Sequence, residues 1–215
     1  MDIKKVTPEE IAFIFKNRSP LPEGRFRRNA VLVPLIQIQN ELHLLYTKRA
    51  LTLMHQPGDI CFPGGKMEEG ETPLEAALRE TEEELGISRD HIRVLGETDY
   101  FVSTSNAFTT PFIGLLENIK VEDIPFSRNE VDSIFTVPLR YFRENTPITA
   151  EVALQPIFPK DFPFHLIHNG VDYKWGKSIL PQIFYPYQGE TIWGITARIT
   201  NNLCEIIENY TEITE

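Results

Sequence analysis

Apolar residues follow two periods along the chain, and each period predicts a different element. Apolar runs with strand-like composition predict strands at 30–38, 42–47, 58–63, 92–103, 109–117 and 131–137. Gln39-Asn40 separates the first two runs and suits the turn of a hairpin. Asn169-Gly170, between two short apolar segments, predicts a further hairpin turn.

Three segments instead carry the signals of helices, and they lie at 7–17, 73–85 and 194–209. The second segment has the most complete set of these signals, with one at each end. Thr72 and Glu75 form a capping box, Pro73 fits the first helical position, and Gly86 stands where a C-terminal glycine belongs. The first segment begins with the same pattern, Thr7-Pro8-Glu9-Glu10.

Helices and strands therefore follow one another in the order α, β-hairpin, β, α, several β, α. No internal repeat, low-complexity tract or clear linker interrupts this order. A chain of 215 residues with 41% hydrophobic residues suits a single domain, here 1–215, with a sizeable core. We expect an α/β fold in which helices pack on a mixed sheet.

The formal net charge of -10 bears on two kinds of partner, nucleic acids and anionic substrates. Nonspecific nucleic-acid binding requires clustered Lys and Arg, so we expect no nucleic-acid partner. An anionic substrate would be repelled at long range unless a bound divalent cation offset the charge locally. The plain alternative is that the acidic residues serve solubility.

Membrane and export signals are missing from the printed sequence. No apolar run approaches the ~18–20 residues of a membrane span, and the first residues lack the apolar stretch of a signal peptide. Cys61 and Cys204 lie far apart in apolar surroundings, which favours two free thiols in a reducing compartment. We therefore expect a cytoplasmic protein with no membrane partner, either a monomer or a homodimer.

The helix at 73–85 combines an apolar stripe with an acidic face. The stripe consists of Leu74, Ala77, Leu78, Thr81 and Leu85, which recur at helical spacing. Glu80, Glu83 and Glu84 fall together on another face, where their carboxylates repel one another. A solvated acidic face is one interpretation. The other is a site for Mg²⁺ or Mn²⁺, which prefer hard oxygen ligands.

The residues before this helix favour the second interpretation. Gly64-Gly65 form a tight turn in which the backbone can approach a ligand and aim a carbonyl at a metal ion. Glu71 and Arg79 supply an opposite-charge pair that can hold the loop against the helix.

The segment 65–87, GKMEEGETPLEAALRETEEELGI, resembles the Nudix box. The matching positions are Gly65, Glu71, Arg79, Glu80, Glu83, Glu84, Gly86 and Ile87. Thr81 departs from the aliphatic residue that many members carry, but it is small enough to pack. The pattern is long and its spacing is fixed, so a chance match is very improbable.

Neighbouring segments resemble one branch of that family, the coenzyme A diphosphatases. They are LLYTKRALTLMHQPGDICFPGGKMEEG, NEVDSIFTVPL and IWGITARI, and the likeness covers roughly 28–207. Met54 and Gln56 depart from the branch, which often carries basic residues there.

The resemblance implies a Nudix α/β/α sandwich with a mixed β-sheet, in which water attacks a diphosphate with the help of Mg²⁺ or Mn²⁺. Carried over by position, Glu80, Glu83 and Glu84 are catalytic metal ligands and Gly65 offers its carbonyl. Glu71 and Arg79 organise the box. The branch implies coenzyme A or a derivative as substrate, and 3′,5′-ADP and (acyl-)4′-phosphopantetheine as products.

Four cationic residues are predicted to bind the substrate. Lys48, Arg49 and Lys66 lie near the glycine turn and suit the diphosphate. Arg28, with Arg25 and Arg27, belongs to a basic patch that suits the 3′-phosphate of coenzyme A, or is simply solvated.

The proton of the attacking water needs a carboxylate acceptor. Glu80 and Glu84 are the first candidates for it. Glu130 is a further candidate, although an ordinary exposed loop acid is the plainer interpretation of that residue.

Three functional hypotheses remain open at this point. The first is hydrolysis of coenzyme A, and the second is hydrolysis of another nucleoside diphosphate derivative such as ADP-ribose or a dinucleotide. The third is a Nudix binding module without catalysis. The complete set of box carboxylates argues against the third, since such modules usually lose them.

Overall fold

The computed structural model describes residues 6–19 and 22–214, with side chains described as far as residue 210. The helices are α1 (Pro8–Lys16), α2 (Pro73–Leu85), α3 (Leu139–Glu144) and α4 (Gly194–Thr214). The strands are β1 (Arg27–Ile38), β2 (Glu41–Arg49), β3 (Ile60–Cys61), β4 (Gly64–Lys66), β5 (Ile92–Glu97), β6 (Phe101–Val102), β7 (Ala107–Leu116), β8 (Val131–Pro138), β9 (Ile148–Leu154), β10 (Ser178–Tyr187) and β11 (Glu190–Trp193).

The main sheet is mixed, as predicted. Its central path runs β3-β2-β1-β7-β5, with β4 paired to β1, β6 to β7 and β8 to β2. The long pair β1 and β7 is parallel, whereas the other pairs of this sheet are antiparallel. The β1–β2 hairpin turns at Gln39 and Asn40, whose φ angles of 49° and 66° fit the turn type that two-residue hairpins prefer.

Strand β1 is apolar on both faces because it separates two cores. Val33 and Leu35 face the core that α4 completes, and Ala30, Leu32 and Ile36 face the core that α2 completes. Successive side chains of a strand point to opposite faces, so a continuous apolar run is required here. The two helices thus cover opposite faces of the sheet, which confirms the α/β/α sandwich.

Helix α2 has the ends that its sequence predicts. The Thr72 hydroxyl accepts from the Glu75 amide, and the Glu75 carboxylate accepts from the Thr72 amide. Gly86 ends the helix with φ 65° in the left-handed region. Helix α1 shows the same capping box at Thr7 and Glu10, and none of its residues is buried.

The predicted hairpin at Asn169-Gly170 is wrong. Asn169 does adopt a left-handed conformation, with φ 68°. However, the flanking segments form short 3₁₀ turns at Phe164–Leu166 and Gly170–Asp172 rather than strands. Local bonds satisfy the backbone: Gly170 N–H donates to Ile167, and Asp172 N–H donates to Asn169.

A second, antiparallel sheet of order β11-β10-β9 was not foreseen in the sequence. Tyr185 of β10 and Ile192 of β11 are buried in the core under α4. Helix α4 is anchored by polar contacts too, since the Tyr46 and Thr200 hydroxyls lie 2.8 Å apart and Thr196 donates to the Ile60 carbonyl at 3.1 Å.

Two further expectations concern cysteines and membranes. Cys61 and Cys204 are both free, as predicted. Within residues 6–19 and 22–214, no helix is long and apolar enough to cross a membrane. The cytoplasmic location and the choice between monomer and homodimer stay predictions.

Replacing Gly86 by alanine tests the helix end. The new Cβ would lie 2.9 Å from Pro125 Cγ, at a φ that side chains rarely adopt. We expect Gly86→Ala to lower the free energy of unfolding by about 1–3 kcal/mol in urea titrations.

Gly176→Ala is the matched control, because a Cβ there meets nothing within 4 Å. Equal losses in the two variants would contradict the proposed role of Gly86.

Candidate active site

Two glycines allow β4 to approach its neighbours more closely than any side chain would permit. Gly64 and Gly65 pair with Val31 and Ala30 of β1. A Cβ on Gly64 would lie 2.4 Å from the Ala30 carbonyl oxygen, and one on Gly65 would lie 2.5 Å from the carboxyl carbon of Glu80. The Gly65 backbone therefore lies directly against the acidic face of α2.

Arg79 connects the loop before α2 to the acidic residues of the helix. Its Nε and Nη2 donate to the two carboxylate oxygens of Glu71 at 2.9 and 3.2 Å, and Nη2 also donates to the Lys66 carbonyl. Its Nη1 donates to Glu80 at 3.0 Å and lies 3.3 Å from a Glu83 oxygen. The predicted Glu71–Arg79 pair is confirmed. This hydrogen bonding lowers the pKa of Glu71 and raises that of Arg79.

The three helix glutamates differ in burial, which their spacing did not reveal. Glu83 is exposed, Glu80 is partly buried, and Glu84 is only 7% exposed. Burial, and to a lesser extent the charges of Glu80 and Glu130, raises the pKa of Glu84 to about 8, although a Gly64 amide hydrogen bond opposes the shift. Burial also raises the pKa of Glu80.

The donor set fits a hard divalent cation. Glu84 Oε2 is buried without any hydrogen-bond partner among the described atoms, a costly state for a carboxylate oxygen. A cation placed there would satisfy it with the ligand type that Mg²⁺ and Mn²⁺ prefer. In the present arrangement Arg79 holds Glu80 and Glu83, and no three His, Cys, Asp or Glu side chains of the described segments converge to hold an ion.

Glu130 lies near this cluster, although it is exposed. Its negative charge contributes to the raised pKa values of Glu80 and Glu84. Its carbonyl oxygen accepts from the Ala50 amide at 2.9 Å, which fixes the backbone beside the end of β2. The residue thus keeps its place among the candidate proton acceptors.

A cavity of about 560 Å³ opens beside the same glycines. Its lining consists of Arg27, Asn29, Val31, Arg49, Gln56, Cys61, Phe62, Gly64, Gly65, Lys66, Ser103, Ser105, Ala107, Thr109, Ile195, Thr196 and Ile199. Three lining residues are basic and none is acidic, in a chain whose net charge is -10. Such a lining favours an anionic ligand.

The structure brings only some of the predicted substrate residues to this cavity. Arg49 and Lys66 line it, whereas Lys48 forms an ion pair with Glu190 at 2.6 Å. Arg28 lines a separate depression of about 180 Å³ together with Phe26 and Phe108. Arg27, its neighbour, lines the cavity instead, because adjacent residues of β1 point to opposite faces of the sheet.

Several lining residues were missed in the sequence. Ser103 and Ser105 belong to the turn between β6 and β7, and no sequence signal marked them. Ile195 and Ile199 of α4 lie four residues apart and therefore on one helical face. They belong to the segment IWGITARI, for which the sequence predicts no role in the site.

Comparisons with known proteins show the family of this chain. A family model for the NUDIX domain matches residues 26–155. Nudix hydrolase 3 of Caenorhabditis elegans is 33% identical over 136 residues, which cover 58% of this chain and 57% of that protein. The peroxisomal coenzyme A diphosphatase NUDT7 of Mus musculus is 37% identical over 115 residues, covering 53% of this chain and 48% of that protein.

A longer match extends beyond the family model. NudL of Yersinia pestis (strain Pestoides F), an uncharacterized Nudix hydrolase by its name, is 32% identical over 182 residues, covering 83% of this chain and 79% of that protein. By contrast, the chain spans only about half the length of the C. elegans and mouse relatives that it matches.

Replacing Glu84 by glutamine tests its burial. The folded pKa of about 8 lies above the ordinary 4.5, so Glu84 favours folding only while protonated. Its contribution is complete below pH 4.5 and is lost as the pH rises through about 8. With a chelator present, we expect the free energy of unfolding of wild type to fall relative to that of Glu84→Gln as the pH rises from about 5 to about 8. The difference between the two proteins should change by about 2–4 kcal/mol in favour of the variant.

Urea titrations at the two pH values measure this difference. Glu82→Gln is the control, since Glu82 is exposed on the same helix. A Glu84→Gln protein whose stability follows wild type at both pH values would contradict the buried-carboxylate assignment.

Proposed function

The chain belongs to the Nudix family, and we propose that it hydrolyses the diphosphate bond of coenzyme A or its derivatives. The products would be 3′,5′-ADP and (acyl-)4′-phosphopantetheine, and the cofactor Mg²⁺ or Mn²⁺. The likeness to the mouse coenzyme A diphosphatase, at 37% identity over 53% of this chain, supports the substrate.

One observation carries the proposal: the Gly64–Gly65 strand lies between a cavity lined by basic and neutral residues and the carboxylates of α2. Gly64 and Gly65 line the cavity, and the Gly65 backbone lies against the Glu80 carboxylate. A diphosphate in the cavity is therefore close to the acidic face of α2. Binding of the anion and activation of water require these two opposite charge environments side by side.

The residues of the site divide the work. Arg49 and Lys66 neutralise diphosphate oxygens in the cavity, and the glycines let those oxygens reach the backbone. Glu80, Glu83 and Glu84 would hold the cation together with the Gly65 carbonyl, while the Glu71–Arg79 pair fixes the loop. When bound, the cation supplies neutralisation of the diphosphate and a lowered pKa of water. A carboxylate among Glu80, Glu84 and Glu130 accepts the proton of that water.

A second candidate substrate is another nucleoside diphosphate derivative, such as ADP-ribose or a dinucleotide. Gln56 favours it, because this neutral amide lines the cavity where the coenzyme A branch often carries a basic residue. The rates on coenzyme A and ADP-ribose separate the two candidates. A strong preference for ADP-ribose would exclude coenzyme A as the main substrate.

Product analysis by liquid chromatography and mass spectrometry tests the reaction itself. We expect purified protein with Mg²⁺ or Mn²⁺ to convert coenzyme A to 3′,5′-ADP and 4′-phosphopantetheine, and a chelator to stop the conversion. Intact coenzyme A under both metals would exclude it as substrate. The same assay with ADP-ribose and dinucleotides would then decide whether the family reaction occurs at all.

Gly65→Ala tests the contact between strand and helix. A Cβ at 2.5 Å from the Glu80 carboxyl carbon must displace that side chain. We expect kcat to fall about a hundredfold, because small displacements of reacting groups are costly.

Circular dichroism and urea titration of this variant would separate displacement from unfolding. Gly176→Ala, whose Cβ meets nothing within 4 Å, should keep wild-type kcat. Full activity in a folded Gly65→Ala protein would refute the importance of the contact.

A further inference from the structure

The cavity has a second cationic end, away from the glycines. Arg27 lies at the start of β1, where its amide donates to the Asn106 carbonyl at 2.8 Å. Its Nη2 donates to the Ser105 carbonyl at 3.4 Å, a long hydrogen bond. Among the described residues the guanidinium has no carboxylate within ion-pair distance. Most of its N–H groups are thus available to a ligand.

The turn between β6 and β7 adds hydroxyl donors beside Arg27. Ser103 Oγ accepts from the Ala107 amide at 3.1 Å and lies 2.8 Å from Ser105 Oγ. Since Ser103 Oγ already accepts one hydrogen bond, its own proton can go to Ser105. The Ser105 proton is then available to an anionic oxygen, and such chains of donors strengthen one another. Both serines line the cavity together with Arg27.

The spacing along β1 relates this end to the diphosphate end. Gly65 pairs with Ala30, three residues from Arg27 on the same strand. Three residues of strand span about 10 Å. This distance suits a ribose that carries a diphosphate on one side and a second phosphate on the other, given the reach of an arginine side chain.

We propose that Arg27, Ser103 and Ser105 form a subsite for a phosphate monoester on the substrate's ribose, and that Arg27 determines specificity for it. The proposal rests on the proposed function, because the diphosphate must lie at Gly64–Gly65. It assigns the 3′-phosphate of coenzyme A to Arg27, whereas Arg28 points to the opposite face of the sheet. A guanidinium beside hydroxyl donors is the chemistry that recognises a phosphate dianion.

Kinetics on coenzyme A and 3′-dephospho-coenzyme A test the subsite. Wild type should prefer coenzyme A, and Arg27→Ala should lower kcat/KM for coenzyme A about ten- to a hundredfold while changing the dephosphorylated substrate little. Ser105→Ala should act in the same direction with a smaller effect, and Arg27→Lys should recover part of the loss. Arg93 is an exposed arginine on edge strand β5, so Arg93→Ala is the charge-matched control. It should leave kcat/KM for both substrates unchanged.

Calorimetric binding of 3′,5′-ADP and 5′-AMP, with a chelator present, gives a readout that does not need catalysis. We expect wild type to bind 3′,5′-ADP at least about tenfold more tightly than 5′-AMP, and Arg27→Ala to bind both alike. Wild-type binding without such a preference would overturn the subsite.

The two assays keep the two proposals apart. In the first case, wild type hydrolyses coenzyme A, and Arg27→Ala lowers kcat/KM equally for coenzyme A and 3′-dephospho-coenzyme A. That result would refute the subsite and leave the proposed function standing. Arg27-dependent preference for 3′,5′-ADP in a protein that does not hydrolyse coenzyme A would support the subsite and refute the proposed function.

Discussion

Two glycines hold β4 against both β1 and α2, with no space for a side chain at either position. Gly64 lies against the Ala30 carbonyl, and Gly65 lies against the Glu80 carboxylate. Because of these contacts, β4 has two roles. One side of the strand forms a wall of the cavity, and Gly65 packs against the acidic face of α2. The capping of α2, the Glu71–Arg79 ion pair and the register of β4 on β1 all serve to keep the wall in position.

The same wall separates charge in a molecule that is acidic overall. On the helix side, the charge of Glu83 acts on Glu80 and the charge of Glu80 acts on Glu84, and Arg79 offsets part of this repulsion through Glu80 and Glu83. On the cavity side, only basic and neutral residues are present. Long-range repulsion of an anion by the net charge of -10 is thus opposed locally by the basic residues that line the cavity. The bulk charge of the chain therefore says little about its substrate.

Local signals made α2 and the first hairpin predictable, because caps, turn residues and apolar periods act over a few neighbouring residues. Residues whose role depends on distant packing were not predictable in this way. The burial of Glu84 depends on packing against β4, and whether Arg27 or Arg28 lines the cavity depends on which face of β1 meets it. The serine turn after β6 reaches the site only through the pairing of β7 with β1. The error at 169–170 has the same origin, since a turn residue cannot show whether its flanks will find partner strands.

Helix α4 both lines the cavity and packs on the core, through residues that lie about one helical turn apart. Thr196 and Ile199 line the cavity, while Thr200 contacts the buried hydroxyl of Tyr46. A ligand in the cavity therefore binds only the state in which the helix is docked, and its binding free energy opposes local opening of the C-terminal segment. Such a ligand would slow amide hydrogen exchange in α4, although the helix lies on the opposite face of the sheet from Glu80, Glu83 and Glu84.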